Sequence, residues 1–341
     1  MENQVIVQNQ VIEELKKPET YPELPKKIQI KQTHISYVFV TDKFVYKVKK
    51  AVNFGFLDFS TLEKRHQFCE KELVLNRRLC GDMYLEVVSI NRLPSGEIKI
   101  NGKGKNVEYA VKMKKIPEEK IMTRLLEEGK IDKNIIDKMT KIIADFHEKA
   151  ELSETEGELE PLSIIETNWK ENFEQTQEFL GRSLSKKTHQ FIQEKINDFM
   201  QTNKDLLEKR VKENKIKKCH GDMHSGNIFV ADKIYIFDAI EFNERFSNCD
   251  VASEVAFLAM DLDFKERKDL SKFFVEKYVK YSGDQQLKEL LNFYKCYRAY
   301  VRGKVTSFKL NDPSVNDKEK KTATKTANAY FDLALEYAKK L

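Results

Sequence analysis

The sequence predicts an α+β fold in which a small antiparallel sheet comes first and a larger helical part follows. Between residues 27 and 113, short runs with the two-residue alternation of strands recur, and turn residues separate them. From residue 116 onward, apolar residues recur mainly at helical spacing. We therefore divide the chain into residues 1–115 and 116–341.

The composition predicts a globular protein of the cytoplasm. With 341 residues, of which 40% are hydrophobic, the chain is long enough for two packed domains. No stretch approaches the roughly 18 apolar residues of a membrane span, and the first ten residues lack a basic region followed by an apolar one. The five cysteines include no C-x-x-C spacing, which favours a reducing compartment.

The charge pattern does not indicate nucleic-acid binding. Sixty Lys and Arg residues stand against 55 Asp and Glu residues, a net charge of +5. The lysine-rich stretches 47–50, 112–115 and 318–321 are short and scattered, whereas a nucleic-acid binder concentrates basic residues on one stripe. We expect no nucleic-acid partner and no membrane.

The first elements are a helix over Val5–Lys16 and three strands, at Lys27–Gln32, Ile35–Val40 and Phe44–Lys49. Lys47 lies in the middle of the third strand among apolar neighbours. From there its ammonium group could reach a phosphate. The alternative is a solvated strand face that Lys47 shares with other lysines.

A helix is predicted from residue 61 to residue 79, because Ser60 and Glu63 have the spacing of a capping box. Glu72 falls on its apolar face, at helical spacing from Phe68, Leu75 and Leu79. A carboxylate in an apolar stripe needs a cationic partner. The alternative is a solvent-facing glutamate beside Arg77 and Arg78.

The remaining elements follow from the same patterns. Strands are predicted at Glu86–Ile90, Glu97–Asn101 and Val107–Met113. Helices are predicted at Ile121–Glu128, Asp132–Ala150, Ile164–Leu180, Ser185–Asn214, Leu287–Lys309 and Lys321–Lys340, with an acidic loop at Glu151–Glu160. Residues 151–214 thus form a helical insertion before the most informative segment of the chain.

That segment is the loop 220–227, followed by two short β-rich runs, 228–231 and 234–237. The polar pair Asp232-Lys233 between the runs predicts a hairpin. A turn centred on this pair places Asn227 opposite Asp238, so that an amide oxygen and a carboxylate converge. Such hard oxygen donors are what Mg²⁺ prefers.

Two other interpretations of this loop stay open. His220, Asp222 and His224 could bind zinc in a hydrolase, although the chain has only six histidines. The loop could also be a polar turn before a buried hairpin, since Gly, Asp, Ser and Asn are ordinary turn residues.

The spacing His220-Gly221-Asp222-x-x-x-x-Asn227 with the later Asp238 resembles the catalytic loop of aminoglycoside phosphotransferase-like kinases. The likeness is strongest over 44–76 and 220–263. It implies a bilobal protein-kinase-like fold, with an antiparallel-sheet N-lobe that carries one helix and a large helical C-lobe. D-F-G and A-P-E triplets and P-loop motifs are absent from the sequence, so the resemblance implies a small-molecule acceptor.

The resemblance also implies roles for individual residues. Asp222 would be the catalytic base, His220 would fix the loop, and Asn227 and Asp238 would bind Mg²⁺. Lys47, steadied by Glu72 with Glu70 as a substitute, would contact the phosphates of ATP or GTP. The strand-to-helix junction, with Met113, Lys115 and Ile116, would contact the adenine through its backbone.

The helix after the hairpin would supply a brace for the catalytic loop. Asp250-Val251-Ala252 resembles the end of the family's G-D-x-x-x-D-[LI]-A stretch, so Asp250 is the candidate brace and Glu254 its substitute. The alternative for Asp250 is an N-terminal helix cap.

The acceptor pocket is the least specified part of the prediction. Its candidate residues are Trp169, Asn168, Asn172, His224, Glu241, Arg298 and Arg302, and the two arginines could instead pair with local acids. Four acids, Glu241, Glu244, Asp261 and Asp263, are compatible with a cationic acceptor such as an amino sugar.

Two functions therefore follow from the resemblance. The first is a Mg²⁺-dependent kinase that phosphorylates a hydroxyl of a small molecule. The second is a nucleotide-binding pseudokinase that docks a partner. Since the family module is sometimes fused to a P-loop ATPase, a separate ATPase of that kind is the candidate partner.

Overall fold

The computed structural model describes residues 2–153 and 161–341. Most of the predicted acidic loop therefore lies outside the described residues. The chain forms two compact units, the first made of Met1–Arg124 and Asn227–Glu244 and the second of Leu125–Gly226 and Arg245–Leu341. The first unit extends past the predicted boundary at residue 115, and it also includes the hairpin that follows the 220–227 loop.

Ten strands and twelve α-helices make up the described residues. The strands are β1 (Gln29–Gln32), β2 (Ser36–Val40), β3 (Phe44–Lys49), β4 (Tyr84–Arg92), β5 (Ile98–Ile100), β6 (Lys105–Lys114), β7 (Ile216–Lys218), β8 (Ile228–Val230), β9 (Ile234–Ile236) and β10 (Asn248–Asp250). The helices are α1 (Glu2–Glu14), α2 (Leu62–Cys80), α3 (Met122–Glu127), α4 (Lys133–Lys149), α5 (Pro161–Thr176), α6 (Lys186–Thr202), α7 (Lys204–Lys212), α8 (Glu244–Ser247), α9 (Val251–Phe264), α10 (Lys268–Ser282), α11 (Leu287–Phe308) and α12 (Asp317–Ala338).

The first unit is built on a six-stranded antiparallel sheet with the strand order β1-β2-β3-β6-β4-β5. One apolar cluster joins α1 to the sheet and includes Val11, Tyr46 and Val48. A second cluster joins α2 and the β8–β9 hairpin to the sheet and includes Leu73 and Tyr235. The sheet is thus covered on both faces, which fixes the position of β3 between two layers.

Glu108 on β6 ties both helices of this unit to the sheet. Its fully buried carboxylate accepts hydrogen bonds from Arg65 Nε of α2, at 3.0 and 2.9 Å, and from Gln8 Nε2 of α1, at 2.6 Å. Gln8 also bonds to the Lys49 carbonyl and the Ala51 N–H. These bonds anchor the end of β3.

The predicted capping box of α2 is wrong by one residue. Thr61 is the N-cap, and its hydroxyl accepts from the Lys64 N–H at 3.2 Å, whereas Ser60 bonds to Asp58. The buried face of α2 shifts correspondingly. It consists of Arg65, Cys69, Glu72, Leu73, Asn76 and Cys80, so that Phe68, Leu75 and Leu79 lie at its margins.

The second unit is helical, and α9 lies at its centre. Residues 251–262 of α9 are all buried, and nine of these twelve are apolar, as expected for a central helix. The predicted helix Ser185–Asn214 is in fact two helices, α6 and α7, separated at Asn203. No helix among the described residues is long and apolar enough to cross a bilayer. The five cysteines form no disulfide, and four of them are buried.

A buried ionic triad connects α7 to the start of α9. Arg210 donates to both carboxylate oxygens of Asp250, at 2.9 and 2.6 Å, and to Asp284 at 2.6 Å. Arg210 is fully buried, and Asp250 and Asp284 are nearly so. The geometry is bidentate, which is the strongest arrangement for a guanidinium and a carboxylate.

We predict that Arg210→Met destabilises the protein by about 3–5 kcal/mol, because it leaves two buried carboxylates without their cation. Denaturation by urea, followed by circular dichroism, measures this loss. Arg182→Met, at an exposed arginine, is the control and should change stability by less than about 0.5 kcal/mol. Equal stability of the two variants would contradict the prediction.

Candidate active site

Lys47 is the centre of an ionic cluster in the first unit. Its Nζ lies 2.8 Å from Glu72 Oε1 on α2 and 2.5 Å from Asp238 Oδ1 after the hairpin. The structure thus brings together three of the residues singled out from the sequence. Glu70, the substitute for Glu72, has a half-exposed side chain and lies beside His66 instead.

Lys49 belongs to the same cluster, and the sequence analysis missed it. Its Nζ lies 2.7 Å from the second oxygen of Glu72 and also pairs with Glu241. Lys47 and Lys49 are two residues apart on one strand, so their side chains share a face. That spacing, together with a buried glutamate opposite, was the available signal. Glu241 was predicted to line the acceptor pocket, but the structure commits its carboxylate to Lys49.

Glu72 and Lys47 keep their charges despite burial. Burial by itself raises the pKa of Glu72, but the two lysines outweigh it and lower this pKa to about 2. Burial lowers the pKa of Lys47, and the carboxylates of Asp238, Glu72 and Glu241 outweigh this and raise it well above its usual value. Glu241 behaves differently: burial raises its pKa, although Lys49 and Lys47 oppose the rise.

The hairpin has a different register from the predicted one. Ile228 pairs with Ile236 and Val230 with Ile234, so three residues, not two, form the loop. Asn227 consequently lies opposite Phe237, whose N–H donates to the Asn227 carbonyl at 3.0 Å. The predicted pairing of Asn227 with Asp238 is therefore wrong, and their convergence on one ion stays a prediction.

Asp238 reaches Lys47 through an uncommon backbone conformation. Its φ of +66° lies in the left-handed region, which few residues other than glycine, asparagine and aspartate adopt. Two bonds hold the chain there: the Asp238 N–H donates to Tyr84 Oη at 3.3 Å, and the Ala239 N–H donates to Asn76 Oδ1 at 2.9 Å. The position of the Asp238 carboxylate therefore follows from this backbone conformation, and not from the pairing register of the hairpin.

The donors near Asp238 fit magnesium. The Asp238 side chain is 44% exposed, so one carboxylate can face both Lys47 and solvent. Asn227, in the same unit, adds an amide oxygen at the start of the hairpin. Magnesium binds through one or two carboxylates and keeps several waters, which matches an accessible carboxylate better than an enclosed cage of protein ligands.

The loop from His220 to Gly226 belongs to the second unit and is held by its own side chains. Nδ1 of buried His220 accepts from the Asp222 N–H at 3.3 Å. Nδ1 of His224 accepts from the Gly226 N–H at 3.0 Å, and its Nε2 lies 3.5 Å from Asp222 Oδ2. His224 therefore contacts the Asp222 carboxylate, although it was predicted as an acceptor-pocket residue.

Asp222 remains ionised in this loop. Burial raises the pKa of its carboxyl group, but the charge and hydrogen bond of His224 and the charges of Arg302 and His220 outweigh burial and lower the pKa well below its usual value. At neutral pH the carboxylate is therefore an acceptor of hydrogen bonds. It can orient a hydroxyl group that carries a proton.

Helix α9 braces this loop with two carboxylates. Glu254 accepts from the N–H groups of His220, at 3.1 Å, and Gly221, at 2.6 Å. Asp261 accepts from the Ser225 N–H at 2.8 Å. The two acids are seven residues apart, so they project from one face of the helix about 10 Å apart. Each end of the loop is thus held by one buried carboxylate.

These bonds correct two predictions. Asp250 does not brace the loop: it caps α9, accepting from the Ala252 N–H at 2.8 Å, and pairs with Arg210. Glu254, the substitute, makes the bracing bonds. Asp261 is buried beneath the loop and is not available to a cationic acceptor. The role of Asp261 could have been predicted from the sequence, because this charged residue lies seven positions after Glu254 in an otherwise apolar helix.

The other acids proposed for a cationic acceptor also have partners in their own units. Asp263 accepts from Lys295 at 2.8 Å, and Glu244 pairs with Lys71 at 2.6 Å. Glu241, Asp261 and Asp263 are thus held by protein partners, whereas the Glu244 side chain is 64% exposed, and the cationic acceptor stays a prediction.

His147, Cys219 and Glu254 form the only group of potential metal ligands that lie within 4.8 Å of one another among the described residues. Both His147 nitrogens are in use, Nδ1 with Tyr278 Oη at 2.7 Å and Nε2 with Glu254 at 2.8 Å. Glu254 also holds the loop. The group is organised as a hydrogen-bond network that supports the brace, and it does not include the loop side chains of the zinc hypothesis.

The remaining acceptor-pocket predictions have mixed outcomes. Trp169 is buried among aromatic side chains, including Phe173 and Tyr300. Arg298 Nη1 donates to the Gly221 carbonyl at 3.0 Å, so this arginine supports the loop. Arg302, one helical turn later, contributes positive charge at Asp222. Neither arginine forms an ion pair with an acid within 4 Å among the described residues.

The strand-to-helix junction predicted to contact adenine lies in the first unit. Met113 is the penultimate residue of β6 and pairs with Val45 and Tyr84. The Lys115 N–H donates to the Lys43 carbonyl at 2.9 Å and is not available to a base. Ile116 is buried.

Comparison with known sequences gives relatives without an assigned activity. No family model matches the chain. It is 30% identical over 282 residues to uncharacterized proteins of Mycobacterium bovis and Mycobacterium tuberculosis. The match covers 82% of this chain and 54% of each relative, so the chain spans about half the length of these relatives.

Comparison with solved structures identifies the fold. A choline/ethanolamine kinase family protein of Mesorhizobium loti matches 97% of this chain and 99% of its own, with a TM-score of 0.54 and 12% identity. The gentamicin complex of APH(2″)-IIa matches 94% and 97%, with a TM-score of 0.51 and 13% identity. The predicted α+β architecture of an antiparallel-sheet lobe and a helical lobe is confirmed. The chain has the aminoglycoside phosphotransferase-like kinase fold.

Proposed function

We propose that this chain transfers the γ-phosphoryl group of ATP or GTP to a hydroxyl group of a small molecule. The observation that carries the proposal is the position of Lys47, which bonds to Glu72 of α2 and to Asp238 after the hairpin. A phosphate-binding lysine held by a helical glutamate, together with a metal-binding aspartate, is the arrangement that kinases use for a nucleotide.

In this proposal the first unit binds the nucleotide and its metal. Lys47 contacts the α- and β-phosphates, and Asp238 with Asn227 holds Mg²⁺. Bound Mg²⁺ supplies neutralisation of the charge on the β- and γ-phosphate oxygens. When the nucleotide binds, its phosphates would replace Asp238 at Lys47. The ion pair of Lys47 with Asp238 is then exchanged for two contacts, Lys47 with phosphate and Asp238 with Mg²⁺.

The second unit supplies the acceptor side. Asp222 accepts a hydrogen bond from the acceptor hydroxyl and takes up its proton as the new O–P bond forms. The bond between the γ-phosphorus and the β-phosphate oxygen breaks in the same reaction, so that ADP or GDP leaves. A carboxylate with a strongly lowered pKa is a weak base, but phosphoryl transfer through a loose transition state depends mainly on positioning and charge. His220, Glu254 and Asp261 hold the loop that carries it.

The proposal is tested by incubating the full chain with γ-labelled ATP, Mg²⁺ and pooled cellular metabolites, and by following label in small molecules. We predict that Asp222→Asn lowers transfer by about 10²- to 10⁴-fold, because an amide cannot replace the carboxylate that accepts the proton of the substrate hydroxyl. ATP affinity should change little, since Asp222 is assigned to the acceptor. Equal transfer by both proteins would contradict the assignment.

The pseudokinase alternative has a different outcome in the same experiment. ATP would bind, but no metabolite would acquire label in the presence of the unmodified chain. A binding titration of ATP beside the transfer assay therefore separates the two functions.

We predict that the two lysines of β3 differ although they are two residues apart. Lys47→Met should lower kcat/KM for ATP and leave Glu72 bonded to Lys49. Lys49→Met should instead lower stability, by about 3–5 kcal/mol, because Glu241 loses its only hydrogen-bonded cation in the described part of the chain. Steady-state kinetics and urea denaturation of both variants measure the difference. Identical profiles would show that the cluster does not divide the roles in this way.

We predict that Glu254→Gln lowers kcat by about 10- to 100-fold while KM for ATP stays constant. The amide cannot replace a charged acceptor for two N–H groups, and such bonds contribute about 1.5–3 kcal/mol each. Asp250→Asn is the matched control, because asparagine also caps helices; it should lower stability and leave kcat near that of the unmodified chain. A larger fall in kcat for Asp250→Asn would restore Asp250 as the brace.

A further inference from the structure

A cavity in the second unit lies beside the catalytic loop. We call it the Trp169 cavity; its lining includes Asn168, Trp169, Cys249, Tyr294, Tyr297 and Arg298. Most of the lining is aromatic or apolar. Arg298 connects the cavity to the loop, because its Nη1 donates to the carbonyl of Gly221, the residue before Asp222.

Three polar atoms of the lining have no hydrogen-bond partner in the described protein. They are Trp169 Nε1, Tyr294 Oη and Asn168 Oδ1. Trp169 is 1% exposed and Tyr294 is 3% exposed, so bulk water does not satisfy them. Leaving a buried donor or acceptor unpaired costs the desolvation of that group. All three residues line this one cavity, which indicates a polar ligand.

The lining has three charged side chains, Arg245, Asp250 and Arg298. Arg245 pairs with Glu171, and Asp250 shares Arg210 with Asp284. Arg298 bonds to the Gly221 carbonyl and to Ser253, while its Nη2 has only the weak acceptor Cys249 Sγ at 3.9 Å. No carboxylate in the described part of the chain pairs with Arg298. A buried guanidinium without a counter-ion favours an anion.

The size of the cavity fits a small anionic group. The cavity volume is about 40 Å³, and since one water needs about 10–15 Å³, the cavity holds about three heavy atoms. A carboxylate group has three heavy atoms, so the rest of the acceptor would extend out of the cavity. The donors Trp169 Nε1–H, Tyr294 O–H and Arg298 Nη2–H suit the two carboxylate oxygens.

We propose that the Trp169 cavity binds the carboxylate of the acceptor, so that the acceptor class is a small hydroxycarboxylate. This inference rests on the proposed kinase function and specifies its substrate. It excludes an amine or quaternary ammonium group from this cavity, because Arg298 would repel a cation. Three of the four acids first considered for a cationic acceptor, Glu241, Asp261 and Asp263, bond to other groups of the protein.

Trp169 is the only tryptophan of the chain, so its fluorescence reports on the cavity. The experiment titrates the full chain, without nucleotide, with glycolate, glycerate, malate and gluconate at constant ionic strength. Ethylene glycol, glycerol and sorbitol serve as neutral counterparts, and ethanolamine, choline and glucosamine as cations. We expect a saturable change in emission with at least one carboxylate and none with the neutral or cationic compounds.

Two variants locate the binding. Tyr294→Phe removes a hydroxyl that has no protein partner, so it should preserve the fold and raise the Kd of the carboxylate about tenfold. Arg298→Gln should raise it at least as much. Arg78→Gln, at an exposed arginine of the other unit, is the control and should leave Kd unchanged.

The inference is overturned if no carboxylate changes the emission at concentrations up to about 10 mM, which detect a Kd of about 1 mM. It is also overturned if cations bind as well, or if Tyr294→Phe and Arg298→Gln bind like the control. Transfer of label from ATP is scored separately. Carboxylate binding without transfer contradicts the kinase function alone, whereas transfer to an amine acceptor without carboxylate binding contradicts this inference alone.

Discussion

The buried carboxylates of α9 are the constraint on which the loop from His220 to Gly226 depends. Glu254 and Asp261 project from a helix that is otherwise apolar, and a buried charge without hydrogen bonds is too costly to persist. The N–H groups of His220, Gly221 and Ser225 satisfy them. The loop can leave this conformation only by exposing those charges to an apolar core. Asp222 is therefore presented by a backbone whose alternatives are strongly disfavoured.

The buried charges of the first unit are satisfied by ion pairs between side chains. Lys47 and Lys49 share Glu72, and each lysine has a second carboxylate, Asp238 or Glu241. The exposed fractions divide the roles. Lys49 is 1% exposed and Asp238 is 44% exposed, so Lys49 has a structural part and the pair of Lys47 with Asp238 is open to exchange. Glu72 thus pairs both with the buried Lys49 and with Lys47, whose second partner, Asp238, can be exchanged.

The sequence alone located the segments and most of the side chains that the structure brings together, but it did not predict every bond between them. The hairpin was found, but its register was off by one, because Asp232-Lys233 is compatible with a two-residue and a three-residue loop. Such a shift exchanges the faces of a strand. Asp238 still contacts Lys47, since its left-handed φ redirects the chain after β9. No pattern of residue types predicts that the backbone at Asp238 offsets the change of register in this way.

What the sequence by itself determined is local: the strand with Lys47, the helix with Glu72, and the loop from His220 to Asn227, each of which follows from spacing within a few residues. What only the tertiary structure decided is which distant groups meet. From the sequence, either Asp250, which precedes α9, or Glu254, in its first turn, could have braced the loop. The choice depends on Arg210 and Asp284, which occupy Asp250 from other elements. Long-range partners of this kind leave no periodicity in the chain, because their sequence separation is set by the fold.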